Sequence, residues 1–403
     1  MTSVFFHTFG CKVNQYETEA ARARLEKLGC VASRDFSSSD VCVINSCSVT
    51  EEADKKCRKF VRRILRENPQ GRVLVTGCYA TRDPEALRAL SPRVEVYSNQ
   101  EKDIIPQIVS GCSLSADESP VLTLFGGRSR AFVKVQDGCD AKCTYCIIPS
   151  LRPEMTSRSI DDITRQASGL LEAGFKEIVL TGIRLGSYGL ASSGGRVGKV
   201  RGNLADLLKH LVKIPGDFRI RLSSLEITEV TEEILELARG TDKICRHFHL
   251  PIQSGNDSVL RRMGRWYDTA FFRGQIGMIL KRLPDAGLTT DVIVGFPGET
   301  DENFEDTRQF LEKYFNGLHV FPFSARKGTP AVKLSGHCPP AVIRERVNIL
   351  LNLDSVLRER FRAKFAGTSR KVLSEVDGGF TDNGIRIPLP LSSPSGSFGW
   401  VAI

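Results

Sequence analysis

The sequence predicts an α/β protein in three parts: an N-terminal parallel-sheet α/β domain over residues 1–125, a central open partial (βα)6 TIM-like barrel with a helical extension over 126–361, and a small C-terminal all-β module over 362–403. Three observations lead there. Up to residue 110 or so, short apolar runs alternate with amphipathic stretches, the pattern of a parallel sheet covered by helices. Six further apolar runs, again separated by helical stretches, follow in roughly 200 residues, too few for a closed eightfold barrel. The final forty or so residues change to short strands and turns. At 403 residues the chain is also too long for one hydrophobic core.

In the first part VFFHTFG leads to Cys11, VCVINS to Cys47 and RVLVTG to Cys78. Each cysteine falls where a strand gives way to a loop. In an open parallel sheet the carboxyl ends of the strands share one edge, where ligands bind, so three thiols distant in sequence should converge. Three thiolates hold a cubane iron-sulfur cluster with one iron left open, whereas four close it. The competing reading makes each a core cysteine, as expected for Cys42 within VCVIN and Cys57 on the next helix. That helix, residues 51 to 68, carries Arg62, Arg63 and Arg66 on the side away from its apolar stripe. Those arginines are either a solvated face or a contact for a phosphate backbone.

In the second part the strands are AFVKVQ, EIVLTGI, FRIRLSSLE, FHLPIQS, TTDVIVGF and LHVFPFS, with helices such as SIDDITRQASGLLEAG and ENFEDTRQFLEKYF between them. Just after the first strand comes CDAKCTYC, which sets Cys139, Cys143 and Cys146 at CxxxCxxC spacing. A structural zinc site needs a fourth ligand nearby, and the nearest downstream candidates are His210 and Cys245. A second three-thiolate cluster with an open iron is the alternative. Polar groups at the carboxyl ends of barrel strands face the site in barrel enzymes. Here they include Thr181, Gly182, Ser223, Ser224, Glu226, Gln253, Ser254, the run from Asp291 to Glu299, and Ser324. Residues 191 to 203, rich in Gly, Ser and basic side chains, read as a surface loop. A helical stretch over 341 to 361 then precedes KVLSEV, GIRIPLP and FGWVAI, the strands of the third part.

Composition is that of a globular protein, 41% hydrophobic and 26% charged, and the formal charge of +9 favours a polyanionic partner. With no run of roughly 20 apolar residues and no signal-like start, a soluble cytoplasmic protein with no membrane partner is expected. In such a compartment cysteines serve metals or catalysis rather than disulfides.

CDAKCTYC resembles the signature of the radical S-adenosylmethionine enzymes, and HTFGCKVNQYETE, NSCSVTEEAD and VTGCYA resemble the N-terminal domain of their methylthiotransferase branch. FGCKVNQYE is most similar to the bacterial enzymes that modify N6-threonylcarbamoyladenosine in tRNA. The resemblance implies two [4Fe-4S] clusters, one on Cys139, Cys143 and Cys146 and an auxiliary one on Cys11, Cys47 and Cys78. The first would cleave S-adenosyl-L-methionine to a 5'-deoxyadenosyl radical that removes hydrogen from C2 of adenine. The second would deliver a methylated sulfur, its methyl group drawn from a second S-adenosylmethionine. Tyr145, Gly182, Ser224, Glu226, Gln253, Gly295 and Phe296 become cofactor contacts, and the C-terminal module resembles the TRAM-like β-barrel that binds RNA. One departure stands in IIPSLRPEMTSR, where Pro153 replaces the usual Gly and bears on Arg152 and Arg158.

The expected activity is conversion of N6-threonylcarbamoyladenosine (t6A) at position 37 of tRNA to its 2-methylthio derivative (ms2t6A). The anticodon stem-loop is then the RNA partner, with a flavodoxin or ferredoxin as electron donor and a separate sulfur donor. Arg184, after TGI, and Arg326, in FSARKGTPA, are candidates for meeting the substrate's carboxylate, with surface or cofactor contact as the alternative. The rival readings are a methylthiotransferase acting on isopentenyladenosine tRNA or on a ribosomal protein, and a zinc-stabilised RNA-binding protein without catalysis.

Overall fold

The computed structural model describes residues 1–112, 122, 125–126, 128–190, 202–389 and 395–403, so most of the loop expected at 191 to 203 lies outside the described residues. The chain forms two compact units, Met1–Gly126 with Cys146–Pro153, and Gly127–Tyr145 with Glu154–Ile403.

The first unit is built on five parallel strands: β1 (Ser3–Thr8), β2 (Val31–Ser33), β3 (Val41–Ser46), β4 (Arg72–Gly77) and β5 (Val94–Val96). Their order is β2-β1-β3-β4-β5, which puts the three cysteine-ended strands side by side in the middle. All six residues of β3 are buried, as a parallel strand covered on both faces requires. One face packs Cys42, Ile44, Val73 and Val75 against Cys57, Val61 and Ile64 of the helix Glu51–Glu67. The other packs Val4, Val41, Val43 and Leu74 against Leu25 and Ile105. Thr50 caps the helix Glu51–Glu67 by accepting from the Ala53 amide, and Glu51, Glu52 and Asp54 load its first turn with the charge its dipole favours. Arg62, Arg63 and Arg66 lie on its exposed side.

In the second unit β6 (Arg130–Lys134) is followed by a two-stranded ribbon, β7 (Gln136–Asp137) with β8 (Thr156–Ser157). Then come β9 (Glu177–Thr181), β10 (Arg219–Leu222), β11 (His247–His249), β12 (Gly287–Val294) and β13 (Gly317–Pro322). β6, β9 and β10 form one parallel sheet and β11, β12 and β13 another. A parallel bridge between Ile220 and Ile244 joins them, with Cys245 N donating to Ile220 O at 2.9 Å. Six parallel strands thus follow one another as an open partial barrel, each overlapping one of the six runs read from the sequence, with β6, β11, β12 and β13 starting one or two residues earlier.

The last strands, β14 (Ser369–Glu375), β15 (Gly378–Thr381), β16 (Arg386–Ile387) and β17 (Phe398–Ala402), make an antiparallel sheet in the order β16-β15-β14-β17. The long helix Pro340–Ala363 supplies Phe361 to its core, where Phe365, Val372, Ile385 and Ile387 complete the packing. This sheet lies against the amino ends of the barrel strands. Arg219 donates to Phe380 O at 2.8 Å, and Arg221 to Thr381 O at 2.9 Å and Asp382 O at 3.1 Å. Both guanidiniums also pair with Glu177, which is fully buried. Burial opposes its charge, yet Arg221 and Arg219 hold the Glu177 carboxyl down at about 2.

Candidate active site

At the carboxyl edge of the first unit's sheet, Cys11 lies three residues past β1, Cys47 directly follows β3, and Cys78 directly follows β4. Backbone conformation brings these ends together. Gly10 has φ +101°, and a Cβ there would stand 2.8 Å from Cys47 Sγ. Gly77 has φ +94°, and a Cβ there would stand 2.4 Å from Ser46 O. Both positions therefore need glycine. Burial pushes the Cys47 thiol up to about 12, and the neighbouring Cys78 and Cys11 push it the same way, so the three sulfurs share one electrostatic neighbourhood. Asn14 ties the edge by donating to Phe9 O at 3.0 Å and Ser46 O at 3.1 Å. Asn99 donates to Cys78 Sγ at 3.8 Å, and Arg152 reaches Asn14, Asn99 and Glu17 at 3.0–3.2 Å. Arg152 is thereby a structural clamp of this unit, and Pro153 after it is exposed.

Three thiols at one sheet edge could hold a metal centre. Ile147, Ile148 and Leu151 pack against Cys78 on its apolar side.

The loop bearing Cys139 and Cys143 is held as tightly. Gly138 has φ +80°, and a Cβ there would fall 1.9 Å from Glu154 O, so only glycine admits that chain path. Gln136 donates to Asp137 O and Gly138 O, both at 2.8 Å, and accepts from Arg184 N at 2.8 Å. A Cβ on Gly182 would meet Gln136 Oε1 at 2.8 Å. Thr144 N donates to Met263 O at 2.9 Å, and its hydroxyl to Arg262 O at 2.8 Å. Tyr145 then packs with Val259, Met263, Ile293, Phe296 and Phe323.

Arg265 organises the centre of this site. Its guanidinium donates to Cys143 Sγ at 3.1 Å, to Tyr267 Oη at 2.7 Å and to Glu226 Oε2, and it lies over the Trp266 and Tyr267 rings at 4.5 and 4.8 Å. Burial raises the Glu226 carboxyl above its ordinary value, partly offset by Arg265. A charged donor against a thiolate stabilises it and suits a cluster ligand. Sequence reasoning missed Arg265 because it follows a helix end rather than a strand end. A cation directly before two aromatics in RWY was the signal that could have found it.

Gln253 is the one non-glycine residue with positive φ among the described residues, at 71°. Its N donates to Asp291 O at 2.9 Å and its O accepts from Ile293 N at 2.9 Å, so strain is held in place beside β12. Gly295, at φ +77°, approaches Ile343 so closely that a Cβ would stand 2.5 Å from its Cγ1, and Gly295 N donates to Glu299 at 3.0 Å. Phe296 is wholly buried, whereas Ser224 is exposed. Of the two arginines considered for the substrate, Arg184 is paired with Glu229 at 2.6 Å and Asp140 at 3.1 Å and covers Trp266, and Arg326 is buried. On the helix Glu51–Glu67, Arg63 and Arg66 contact Glu67 at 3.1 and 2.7 Å, and Arg63 also lies over Phe36.

No helix among the described residues is long and apolar enough to cross a membrane. Residues 3–99 match a family described as uncharacterized protein family UPF0004, and residues 133–311 match the radical SAM superfamily. Among solved structures, the radical S-adenosylmethionine methyltransferase TsrM from Kitasatospora setae is similar over 82% of this chain and 77% of its own, with TM-score 0.56 and 13% identity. The cobalamin-dependent enzyme OxsB is similar over 88% of this chain and 56% of its own, with TM-score 0.55 and 12% identity. These two show the fold. The tRNA-2-methylthio-N(6)-dimethylallyladenosine synthase of Corynebacterium diphtheriae is 33% identical over 92% of this chain and 75% of its own length. The threonylcarbamoyladenosine tRNA methylthiotransferase MtaB of Bacillus subtilis is 38% identical over 96% of this chain and 90% of its own, and that of Thermotoga maritima 37% identical over 93% and 87%. By that likeness along nearly the whole of both sequences, the chain belongs to the radical S-adenosylmethionine tRNA methylthiotransferase family.

Proposed function

We propose that the protein places a methylthio group on C2 of N6-threonylcarbamoyladenosine at position 37 of tRNA. Likeness to the Bacillus subtilis enzyme across 96% of this chain carries the reading. Two separate three-cysteine sets, one at the carboxyl edge of the first unit's sheet and one in the loop after β7, support it.

Cys139, Cys143 and Cys146 would hold one [4Fe-4S] cluster, and Cys11, Cys47 and Cys78 the other. When bound, these clusters and S-adenosylmethionine supply the radical and the sulfur. The chain's own residues do the rest. Arg265 fixes Cys143 and Glu226 in one hydrogen-bonded group, and Tyr145 with Phe296 and Phe323 lines an apolar wall that keeps water from a reactive intermediate. Gln253 and Gly295 set backbone atoms at the ends of β11 and β12, where a cofactor in a barrel enzyme lies. Gly182 and Ser224 occupy the corresponding ends of β9 and β10.

In this reading residues 1–125 carry the auxiliary cluster, 126–361 the radical chemistry, and 362–403 form a TRAM-like RNA-binding module. Arg62, Arg63 and Arg66 meet phosphates of the anticodon stem-loop. Arg184 and Arg326 are the basic candidates for the substrate's side of the site, Arg184 already paired with Glu229 and Asp140. A flavodoxin or ferredoxin supplies electrons and a sulfur donor rebuilds the auxiliary cluster, in the cytoplasm. Mass analysis of tRNA nucleosides from a strain lacking the protein tests the proposal: ms2t6A should vanish and t6A accumulate, and loss of the methylthio dimethylallyl nucleoside instead would refute it.

A further inference from the structure

On the barrel wall, one polar cluster is not absorbed by the cofactor chemistry. His249 on β11, Asp291 on β12 and His319 on β13 place a donor atom each within 4.8 Å of one another. His249 Nε2 donates to Asp291 Oδ1 at 3.0 Å, His319 Nδ1 donates to the same oxygen at 3.2 Å, and the two imidazoles stack with centroids 4.8 Å apart. Thr289 Oγ1 lies 2.9 Å from His249 Nδ1 and 3.0 Å from His247 Nε2, which fixes the first imidazole from behind.

The strands explain the placement. Along β12, partly exposed Thr289, Asp291 and Ile293 alternate with buried Leu288, Thr290, Val292 and Val294, so one face is packed and the other open. In register, Asp291 sits opposite His319 and Ile293 opposite Phe321. Ile293, two residues along from Asp291, packs in the group that contains Tyr145 of the cysteine loop, and so does Phe323. The cluster therefore shares its face of the strand with Ile293, which packs with Tyr145, and lies about 7 Å along the strand from Ile293. This face has room: Phe321 is 42% exposed and the His319 side chain 54%.

We propose that His249, Asp291 and His319 form the subsite that receives the polar N6 substituent of the target adenosine. The proposal rests on the functional reading above and names the side chains that select for it. C2 and N6 occupy different corners of adenine, so a base whose C2 meets the radical centre sets its N6 group against a neighbouring patch of wall. A threonylcarbamoyl group brings amide and hydroxyl donors and a carboxylate acceptor. Burial opposes the Asp291 charge, but the hydrogen bonds from His249 and His319 keep its carboxyl ionised and an acceptor for the substituent's N–H or O–H. Among the described residues His319 Nε2 makes no hydrogen bond, which leaves that edge of the ring to accept the substituent's N–H or O–H when neutral, and to donate to its carboxylate when the ring carries a second proton. An apolar dimethylallyl group would cover Asp291 and His319 without satisfying either. A divalent ion fits less well, because both imidazoles already direct their nitrogens at the carboxylate.

The test measures binding of cluster-loaded protein to three anticodon stem-loop oligonucleotides, bearing threonylcarbamoyladenosine, dimethylallyladenosine or plain adenosine at the target position. Wild type should favour the first over plain adenosine. His319→Phe should shrink that ratio about tenfold or more, the loss of hydrogen bonds to a charged group, with little change in affinity for the plain oligonucleotide. His319→Gln, which keeps a donor, should restore part of the ratio, and Asp291→Asn should lower it. Methylthiolation kinetics should show the defect of His319→Phe in KM more than in kcat. If the ratio survives both His319→Phe and Asp291→Asn, the subsite is refuted and the functional reading stands. If wild type binds the dimethylallyl oligonucleotide most tightly, the functional reading fails and the subsite with it.

Discussion

Arg265 Nη1 stands 3.1 Å from Cys143 Sγ while the same guanidinium pairs with Glu226, so a single side chain couples the cysteine loop to the end of β10. Hydrogen bonds to cluster sulfurs stabilise the reduced, more negative state and raise the reduction potential. Arg265→Met should lower the potential of the cluster proposed on Cys139, Cys143 and Cys146 and slow cofactor cleavage. Potentiometric titration followed by electron paramagnetic resonance measures the first effect. An unchanged potential would reduce Arg265 to a packing role.

The two cysteine sets should be separable. Replacing Cys139, Cys143 and Cys146 by Ala should remove about four of about eight irons from anaerobically reconstituted protein, and replacing Cys11, Cys47 and Cys78 should remove the other four. Iron and sulfide analysis reads the outcome directly. Loss of all iron from either variant would show one site where two are proposed.

The exposed arginines of the helix Glu51–Glu67 give an ionic-strength prediction. Reversing Arg62, Arg63 and Arg66 to Glu should weaken tRNA binding and flatten the plot of log affinity against log salt by roughly 0.7–0.9 for each phosphate that the variant no longer neutralises, the range between single strands and duplex. Equal slopes for variant and wild type would make this a solvated face.

Glu177 bears on stability. Its carboxyl is held down at about 2 in the folded protein against an ordinary 4.5, so its contribution is fully present above pH 4.5 and is lost as pH falls toward 2. Glu177→Gln should remove that dependence and destabilise the second unit by about 3–5 kcal/mol, because Arg219 and Arg221 would keep buried charges without a counterion. Denaturant melts at pH 7 and at pH 4 measure both effects. A melt within about 0.5 kcal/mol of wild type at pH 7 would contradict the account.

Much of this was legible in the chain because it rests on short-range pattern. The runs VCVINS and RVLVTG announce buried strands by composition, and a cysteine at the end of each announces a shared edge once the strands are parallel. CDAKCTYC is local too. The rest depends on pairings between distant residues. FRIRLSSLE alternates Arg with apolar residues as a half-solvated strand does, yet Arg219 and Arg221 are buried against the C-terminal sheet, about 160 positions away. Gln253 gives no sign of its left-handed backbone, since the glutamine itself does not favour it. Asp291 was visible within DVIVGFPGE, but its two histidines come from neighbouring strands and meet it only through register.

The sheet under the barrel has a genetic corollary. A nonsense mutation shortly after the helix Pro340–Ala363 would spare all twelve cysteines and every strand of the barrel. It would also strip Arg219 and Arg221 of the carbonyls of Phe380, Thr381 and Asp382 and open the core around Phe361 and Phe365 to water. Such an allele should behave as a null through instability rather than through failure to hold RNA, and a missense change at Phe365 should mimic it.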